Sequence, residues 1–261
     1  MITRHTYTGL ARYANLTKQF TLLRFKIKDQ STLLGLLWSF INPIVMLAVL
    51  FFMFNKKFGG GIRYYPAYLL VGIIQYNFFV RATASATTIL FQQRDLTKNV
   101  VFPKETLVIG TIASDMVQFI FEMAVCMAFA IFLGAPLTKA LLFIPAVILL
   151  ELLITLWIGI LLSCFHVFVK DIDNLWHLFS RVLFFITPVF FTTDVATSPV
   201  LKAVVFLNPL TALISYSRSA IIKGAIPPAG NIFMFILLNI LLLYIAYKVF
   251  KRLEKNFAEY L

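Results

Sequence analysis

Charge is scarce in this sequence. Only 13% of the 261 residues are charged and 61% are hydrophobic, whereas a soluble domain carries about 25% charged residues. That shortage excludes an ordinary water-soluble globule. Acidic residues are scarcer still, with 11 Asp and Glu against 23 Lys and Arg, a net charge of +12. Cysteine and histidine number only two and three. Cys126 and Cys164 both sit inside apolar runs, where a free thiol behaves as a small hydrophobe. No Cys/His metal spacing exists. The glycine run Gly59-Gly60-Gly61 is followed by Ile62-Arg63, not by the Lys and Ser/Thr of a phosphate-binding loop, and reads as an external turn. No activated serine, paired acids at a loop or nucleic-acid module is visible, so the chain reads as neither an enzyme nor a nucleic-acid binder. The first 30 residues lack an apolar core with a small-residue cleavage site, and the expectation is that the first span directs insertion.

What is present in abundance is long apolar runs. A helix needs about 20 mostly apolar residues to cross a bilayer. Six stretches qualify: 36–54, 65–84, 107–133, 141–169, 175–191 and 232–250. Their apolar residues do not alternate, which excludes barrel strands, and open sheet leaves backbone groups unpaired in lipid. The expected fold class is therefore an all-α integral membrane protein, a single domain over 1–261 with six transmembrane helices.

Lys and Arg set the expected orientation. Arg4, Arg12, Lys18, Arg24, Lys26, Lys28, Arg94, Lys98, Lys104, Lys170, Lys248, Lys251, Arg252 and Lys255 fall on one side. Lys56, Lys57, Arg63, Lys139, Lys202, Arg218 and Lys223 fall on the other. The first set is twice the second, which places both termini in the cytoplasm.

Three connecting segments are not plain loops. Tyr13, Leu16, Phe20, Leu23 and Ile27 recur at helical steps and stripe one face of an amphipathic interface helix at about 13–28, with Leu22 and Phe25 opposite. Asp29, Gln30, Ser31 and Thr32 suit a break before the first span. The stretch 91–105 carries mixed charges beside Val100, Val101 and Phe102, and has room for a short helix before Pro103. Between spans 5 and 6, residues 192–230 contain two apolar pieces too short to cross, punctuated by Pro199, Pro209, Pro227 and Pro228. They read as an external re-entrant helical hairpin, tolerated where it packs on protein or lines a cavity. Pro188 breaks span 5 just before it.

Arg81, Asp115, Glu122, Glu151 and Arg181 lie in or near spans and are expected to face the bundle interior or a cavity. Asp115 and Glu122 are seven apart, near one helix face, and either arginine could pair with them. His166 and His177 read as interfacial. Trp38 suits an interfacial belt, Pro43 kinks the first span and Asn42 requires protein or water beside it. Phe78, Phe79, Phe184, Phe185, Phe190, Phe191 and Tyr216 lie near breaks or polar groups. Such rings suit stacking on sugars and equally suit lipid contact; periodicity does not separate the two.

Two Asn-Pro pairs, Asn42-Pro43 and Asn208-Pro209, invite comparison with water channels. Neither is followed by Ala, and Asn42 lies in the first span, so that match fails. The sequence instead resembles the membrane subunit of type-2 ABC exporters, especially Wzm-like permeases of O-antigen and teichoic acid polysaccharides. STLLGLLWSFINPIV (31–45), RDLTKNVVFPKE (94–105), FVKDIDNLWHLFSRVLFFITPVFF (168–191) and NPLTALISYSR (208–218) are similar to that family's motifs, in order and across most of the chain. One departure is FFTTD (190–194), where many relatives carry a Tyr soon after the Pro.

The resemblance implies a homodimer bound to two copies of a separate ATPase subunit, which would hold the ATP and magnesium, leaving no cofactor in this chain. It implies a lipid-linked polysaccharide as cargo and a multi-pass location in the cytoplasmic (inner) membrane of a prokaryote. It makes Gln92, Gln93, Arg94, Asp95, Leu96, Thr97, Lys98 and Asn99 the coupling segment seated on the ATPase. Trp38, Asn42, Phe78, Phe79, Phe184, Phe185, Phe190, Phe191 and Tyr216 become candidates for the cargo path. An exporter of drugs or small lipids is the alternative within the class. An autonomous proton-coupled carrier using Asp115, Glu122 and Arg81 is the alternative outside it.

Overall fold

A computed structural model describes residues 9–30, 37–59, 61–100, 102–192 and 198–261, and these are helical, with no strand among them. In chain order the helices are α1 (Gly9–Gln30), α2 (Leu37–Phe54), α3 (Tyr65–Gln92), α4 (Arg94–Asn99), α5 (Glu105–Phe132), α6 (Ile144–Phe168), α7 (Ile172–Ile186), α8 (Pro199–Leu207), α9 (Pro209–Arg218), α10 (Ala229–Leu253) and α11 (Phe257–Tyr260). Among the described residues, four stretches are long and apolar enough to cross a membrane: Phe40–Lys57, Glu105–Phe132, Lys139–Phe168 and Ala229–Asn256.

Helix α3 is the hub, packing against α2, α5, α6, α7 and α9. It starts at Tyr65, with Pro66, whose fixed φ suits a first turn, next to it, and runs 28 residues to Gln92, well past the sequence expectation of residue 84. Around the point where the expected span ends, the Thr83 and Thr87 hydroxyls donate back to the carbonyls of Phe79 and Thr83. A buried hydroxyl satisfied within its own helix leaves the helix free to continue.

Helix α7 is shorter than expected. It ends at Ile186 rather than residue 191, because Thr187 precedes Pro188 and takes an extended conformation. Fifteen residues rise only about 22 Å at 1.5 Å each, short of a full crossing. Helices α3 and α7 run antiparallel. Trp176 Nε1 donates to Thr83 Oγ1 (3.0 Å), the Tyr76 hydroxyl to the Ser180 carbonyl, and the Tyr65 hydroxyl to the Phe190 carbonyl (3.1 Å).

The stretch between α7 and α10 folds as two short helices of unlike character. Asn208 caps α9 through its side-chain oxygen, which accepts from Leu210 N at 3.0 Å, and Pro209 occupies the first turn. Helix α9 is buried against α3 and α6, whereas Val200, Phe206 and Leu207 of α8 are exposed.

Helix α1 lies against α5, where Gly110 permits the approach: a Cβ there would sit 3.0 Å from Phe20 Cβ. The contact rotates α1 relative to the expected stripe. Leu23 is exposed together with Leu22, and Arg24 turns inward to donate to Thr111 Oγ1 at 2.6 Å. The side chains of Phe25 and Ile27 lie outside the description. The expected break at Asp29-Gln30 is helical, since α1 continues to Gln30. Its Ser31 and Thr32 part, with the start of the 31–45 motif, lies outside the described residues.

Candidate functional site

One end of the bundle gathers α1, α4 and the chain's C-terminal turns. Phe20 of α1 stacks with Phe102 just after α4. Helix α11 packs on α4, and Lys251 bridges Glu105 (2.7 Å) and Glu254 (2.9 Å). The Tyr13 hydroxyl is held well above its ordinary pKa by burial and by the nearby Glu105 carboxylate. A cavity of about 400 Å³ lies at this junction, lined by Leu23, Arg24, Ser85, Gln93, Thr111, Ser114 and Asp115. Burial lowers the Arg24 pKa, partly opposed by Asp115.

Here α4 stands out as a knuckle. Gln92, Gln93, Arg94, Asp95, Leu96, Lys98 and Asn99 are exposed. Only Thr97 is buried, its hydroxyl donating to the Gln93 carbonyl at 2.8 Å. One hydrogen-bonded threonine thus anchors a six-residue helix whose other side chains face outward.

Farther along α3, Arg81 Nη1 meets Glu122 Oε1 at 3.2 Å and its Nε lies 3.9 Å from Asp115 Oδ1. Gln118 Nε2 donates to the same Glu122 oxygen at 2.8 Å. The seven-residue spacing of the acids thus brings both to Arg81. Arg181, the other expected partner, is exposed on α7. At mid-bundle Gln75 Nε2 donates to Glu151 (3.2 Å) and to Ser217 Oγ (2.9 Å), joining α3, α6 and α9.

Beside it lies a group that sequence reasoning placed in the external re-entrant element. Arg218 is buried, and its guanidinium donates to the carbonyls of Pro188 (2.6 Å), Val189 (2.6 Å) and Tyr68 (3.0 Å). Its carbon lies 3.4 Å from the Tyr68 ring centroid. The carbonyls at Pro188 and Val189 lie just past the end of α7, so Arg218 replaces the missing helical donors. Gly72 makes room: a Cβ there would meet Arg218 Nη2 at 2.8 Å and the Val189 carbonyl oxygen at 3.1 Å.

The aromatic path candidates divide. Phe184, Phe185, Phe190 and Phe191 come together in one cluster, with successive centroid distances of 5.5 Å (184–185), 6.1 Å (184–190) and 5.2 Å (190–191). Phe54 stacks on Phe190 at 4.7 Å and Tyr76 meets Phe184 at 5.1 Å edge-on. Tyr65 and Tyr68 add to it by donating to the carbonyls of Phe190 and Phe191. These tyrosines and Phe54 were not singled out from sequence; the paired Tyr64-Tyr65 at the mouth of α3 was the available signal. Phe78 and Phe79 are elsewhere and fully interior, against Phe119 (4.3 Å) and Trp176 (6.0 Å). Tyr216 is buried against Phe235. Asn42 is exposed on α2 and Pro43 after it is buried. The Trp38 side chain lies outside the description.

Comparison with known proteins bears on this arrangement. The family model described as ABC-2 type transporter matches residues 16–222, from α1 through the turn after α9. The chain belongs to the ABC-2 type transporter family. This ABC-2 protein is also similar to the O-antigen export system permease protein RfbA of Myxococcus xanthus, with 22% identity over 251 residues, 96% of each chain. A Klebsiella pneumoniae protein of the same name is 22% identical over 237 residues, 90% of this chain and 91% of its own. The matched region of the ABC-2 member contains the α4 knuckle, the Arg81 cluster, the aromatic cluster and the Arg218 clamp. It is a membrane-transport component rather than an enzyme.

Proposed function

We propose that the chain is the membrane-spanning permease subunit of an ATP-driven exporter that moves a lipid-linked polysaccharide such as O-antigen across the cytoplasmic membrane. The observation that carries the reading is the end-to-end similarity to relatives named as O-antigen export permeases. In this reading α3 and α7 add two crossings to the four strongly apolar ones, with the polar residues of α3 turned inward. The end bearing α1, α4 and the C-terminal turns is cytoplasmic, and α8–α9 form an external re-entrant element. Two copies of the chain pair, and two copies of a separate ATPase grip them.

The chain's own residues then divide the work. Residues 92–99 present an exposed knuckle to the ATPase, and Leu96 offers it an apolar point. Motion there passes into α3 directly, because α4 follows α3 after Gln93 alone. It passes into α5 through the short segment ending at Pro103. The cluster of Phe184, Phe185, Phe190 and Phe191 offers sugar rings several similar apolar faces. Weak repeated sites favour transit, because tight binding traps the cargo.

The test is mild-detergent affinity purification of the tagged protein from native membranes, with mass spectrometry of what co-elutes. A near-stoichiometric soluble subunit carrying G-x-x-x-x-G-K-[ST] is expected. A chain that elutes alone through several detergents overturns the reading in favour of an autonomous carrier.

A further inference from the structure

The outward face of α7 is apolar at Leu175, Leu178, Phe179, Val182 and Phe185, yet it carries one arginine. The inward line of the helix is Trp176, Ser180 and Thr187, all buried. Diametrically opposite, at steps of three and four, lie Asn174, Leu178, Arg181 and Phe185, all exposed, Phe185 to 68%. Arg181 therefore points away from its own subunit.

Its depth follows from the pairing with α3. Ser180 shares its carbonyl with the hydroxyl of Tyr76, the twelfth of the 28 residues of α3. At 1.5 Å per residue this is about 16 Å in from the Tyr65 end, roughly the middle of a 30 Å hydrocarbon layer. The Gln75–Glu151–Ser217 set lies at the neighbouring level. An arginine side chain is much shorter than the roughly 15 Å from mid-layer to either surface, so it does not snorkel out from there.

Among the described residues no carboxylate pairs with Arg181. Asp173, one turn nearer the start of α7, lies 3.6 Å from His177 Nε2. On α6, which with α3 packs against α7, Glu151 is bonded to Gln75, and Asp115 and Glu122 of the more distant α5 face Arg81. A guanidinium at mid-depth, exposed and with no carboxylate partner among the described residues, requires water or an anion beside it.

We propose that Arg181 faces the transport path and binds an oxyanion of the cargo, a phosphate or a carboxylate, with Phe185 one turn on stacking against the sugar or lipid that carries it. The proposal rests on the permease reading and deepens it. A guanidinium fork suits both oxyanions. The outward line of α7 thus combines a charge selector with an apolar slide.

The test compares three detergent-like probes with one dodecyl chain and different heads: dodecyl phosphate, dodecyl glucuronide and the neutral dodecyl maltoside. Each is titrated against the protein in nanodiscs, together with any co-purifying ATPase, reading thermal stabilisation. One anionic probe is expected to act at concentrations at least 10-fold below the maltoside. Arg181→Gln removes that preference and Arg181→Lys keeps most of it. Preference for the phosphate places the oxyanion on a lipid carrier, and preference for the glucuronide places it on the sugar chain. Equal responses to all three heads, or a preference that survives Arg181→Gln, overturn the proposal. So does loss of self-association between two differently tagged copies of Arg181→Gln, which assigns the arginine to the partner copy. An anion preference in a preparation without ATPase keeps the proposal and overturns the permease reading instead.

Discussion

Two arginines show how one residue type holds this fold in different ways. Arg218 has no carboxylate within the described contacts and is satisfied by backbone carbonyls past the break in α7. Arg218→Leu strands these acceptors, each at about 1–3 kcal/mol, so a loss of at least 3 kcal/mol is expected in detergent unfolding. Arg218→Lys recovers little of it, because an ammonium cannot match a planar fork. Gly72→Val is expected to destabilise comparably, since its side chain would enter the guanidinium's space. Arg81 works by charge instead. Arg81→Gln removes the cation shared by Asp115 and Glu122 and is expected to cost about 3–5 kcal/mol, a loss that Glu122→Gln in the same chain partly reverses. That the two acids share a face was legible in their spacing; which of Arg81 and Arg181 meets them was not. The clamp made by Arg218 was not legible either, because a lone arginine beside apolar and proline-rich stretches looks like a surface charge until the carbonyls around it are seen.

Among the elements, α4 and the end of α7 matter most. Leu96 is exposed on a helix held by Thr97, so Leu96→Asp is expected to leave folding yield unchanged. Co-purification of the ATPase should fall at least 10-fold; unchanged co-purification removes α4 from the interface. Thr97→Val forfeits a buried hydrogen bond, costing about 1 kcal/mol, and loosens the knuckle from within. In the aromatic cluster, Phe190→Ala removes stacking on Phe54 and contacts with Phe184 and Phe191. It is expected to slow export with the complex intact, as measured by surface polysaccharide. Sequence pattern located α4 and the Pro188 break because charge, turn residues and proline act locally. It overran α7 by five residues and stopped α3 eight short, because apolar content does not reveal where backbone donors find substitutes.

At the scale of the molecule, orientation is the property most open to direct test. Cys126 and Cys164 are buried, so native thiols give a low labelling background. Lys98→Cys is expected to react with a membrane-impermeant maleimide only from the cytoplasmic side, and Lys56→Cys only from the outside. The reverse pattern inverts the bundle and separates α4 from any cytoplasmic ATPase.

Composition and pattern settled the class of this protein, its helical nature and its main apolar spans, because the solvent acts on every residue of a run alike. Local chemistry also acts within one turn at the starts of α3 and α9, through Pro66 and through Asn208 and Pro209. Packing alone chose which aromatics stand together, that Phe78 and Phe79 are interior while Phe185 faces out, and that Arg24 turns inward as Leu23 turns away. Those outcomes depend on how helices rotate against one another, and rotation is chosen by contacts such as Gly110 with Phe20 and Gly72 with Arg218, between residues far apart in the chain.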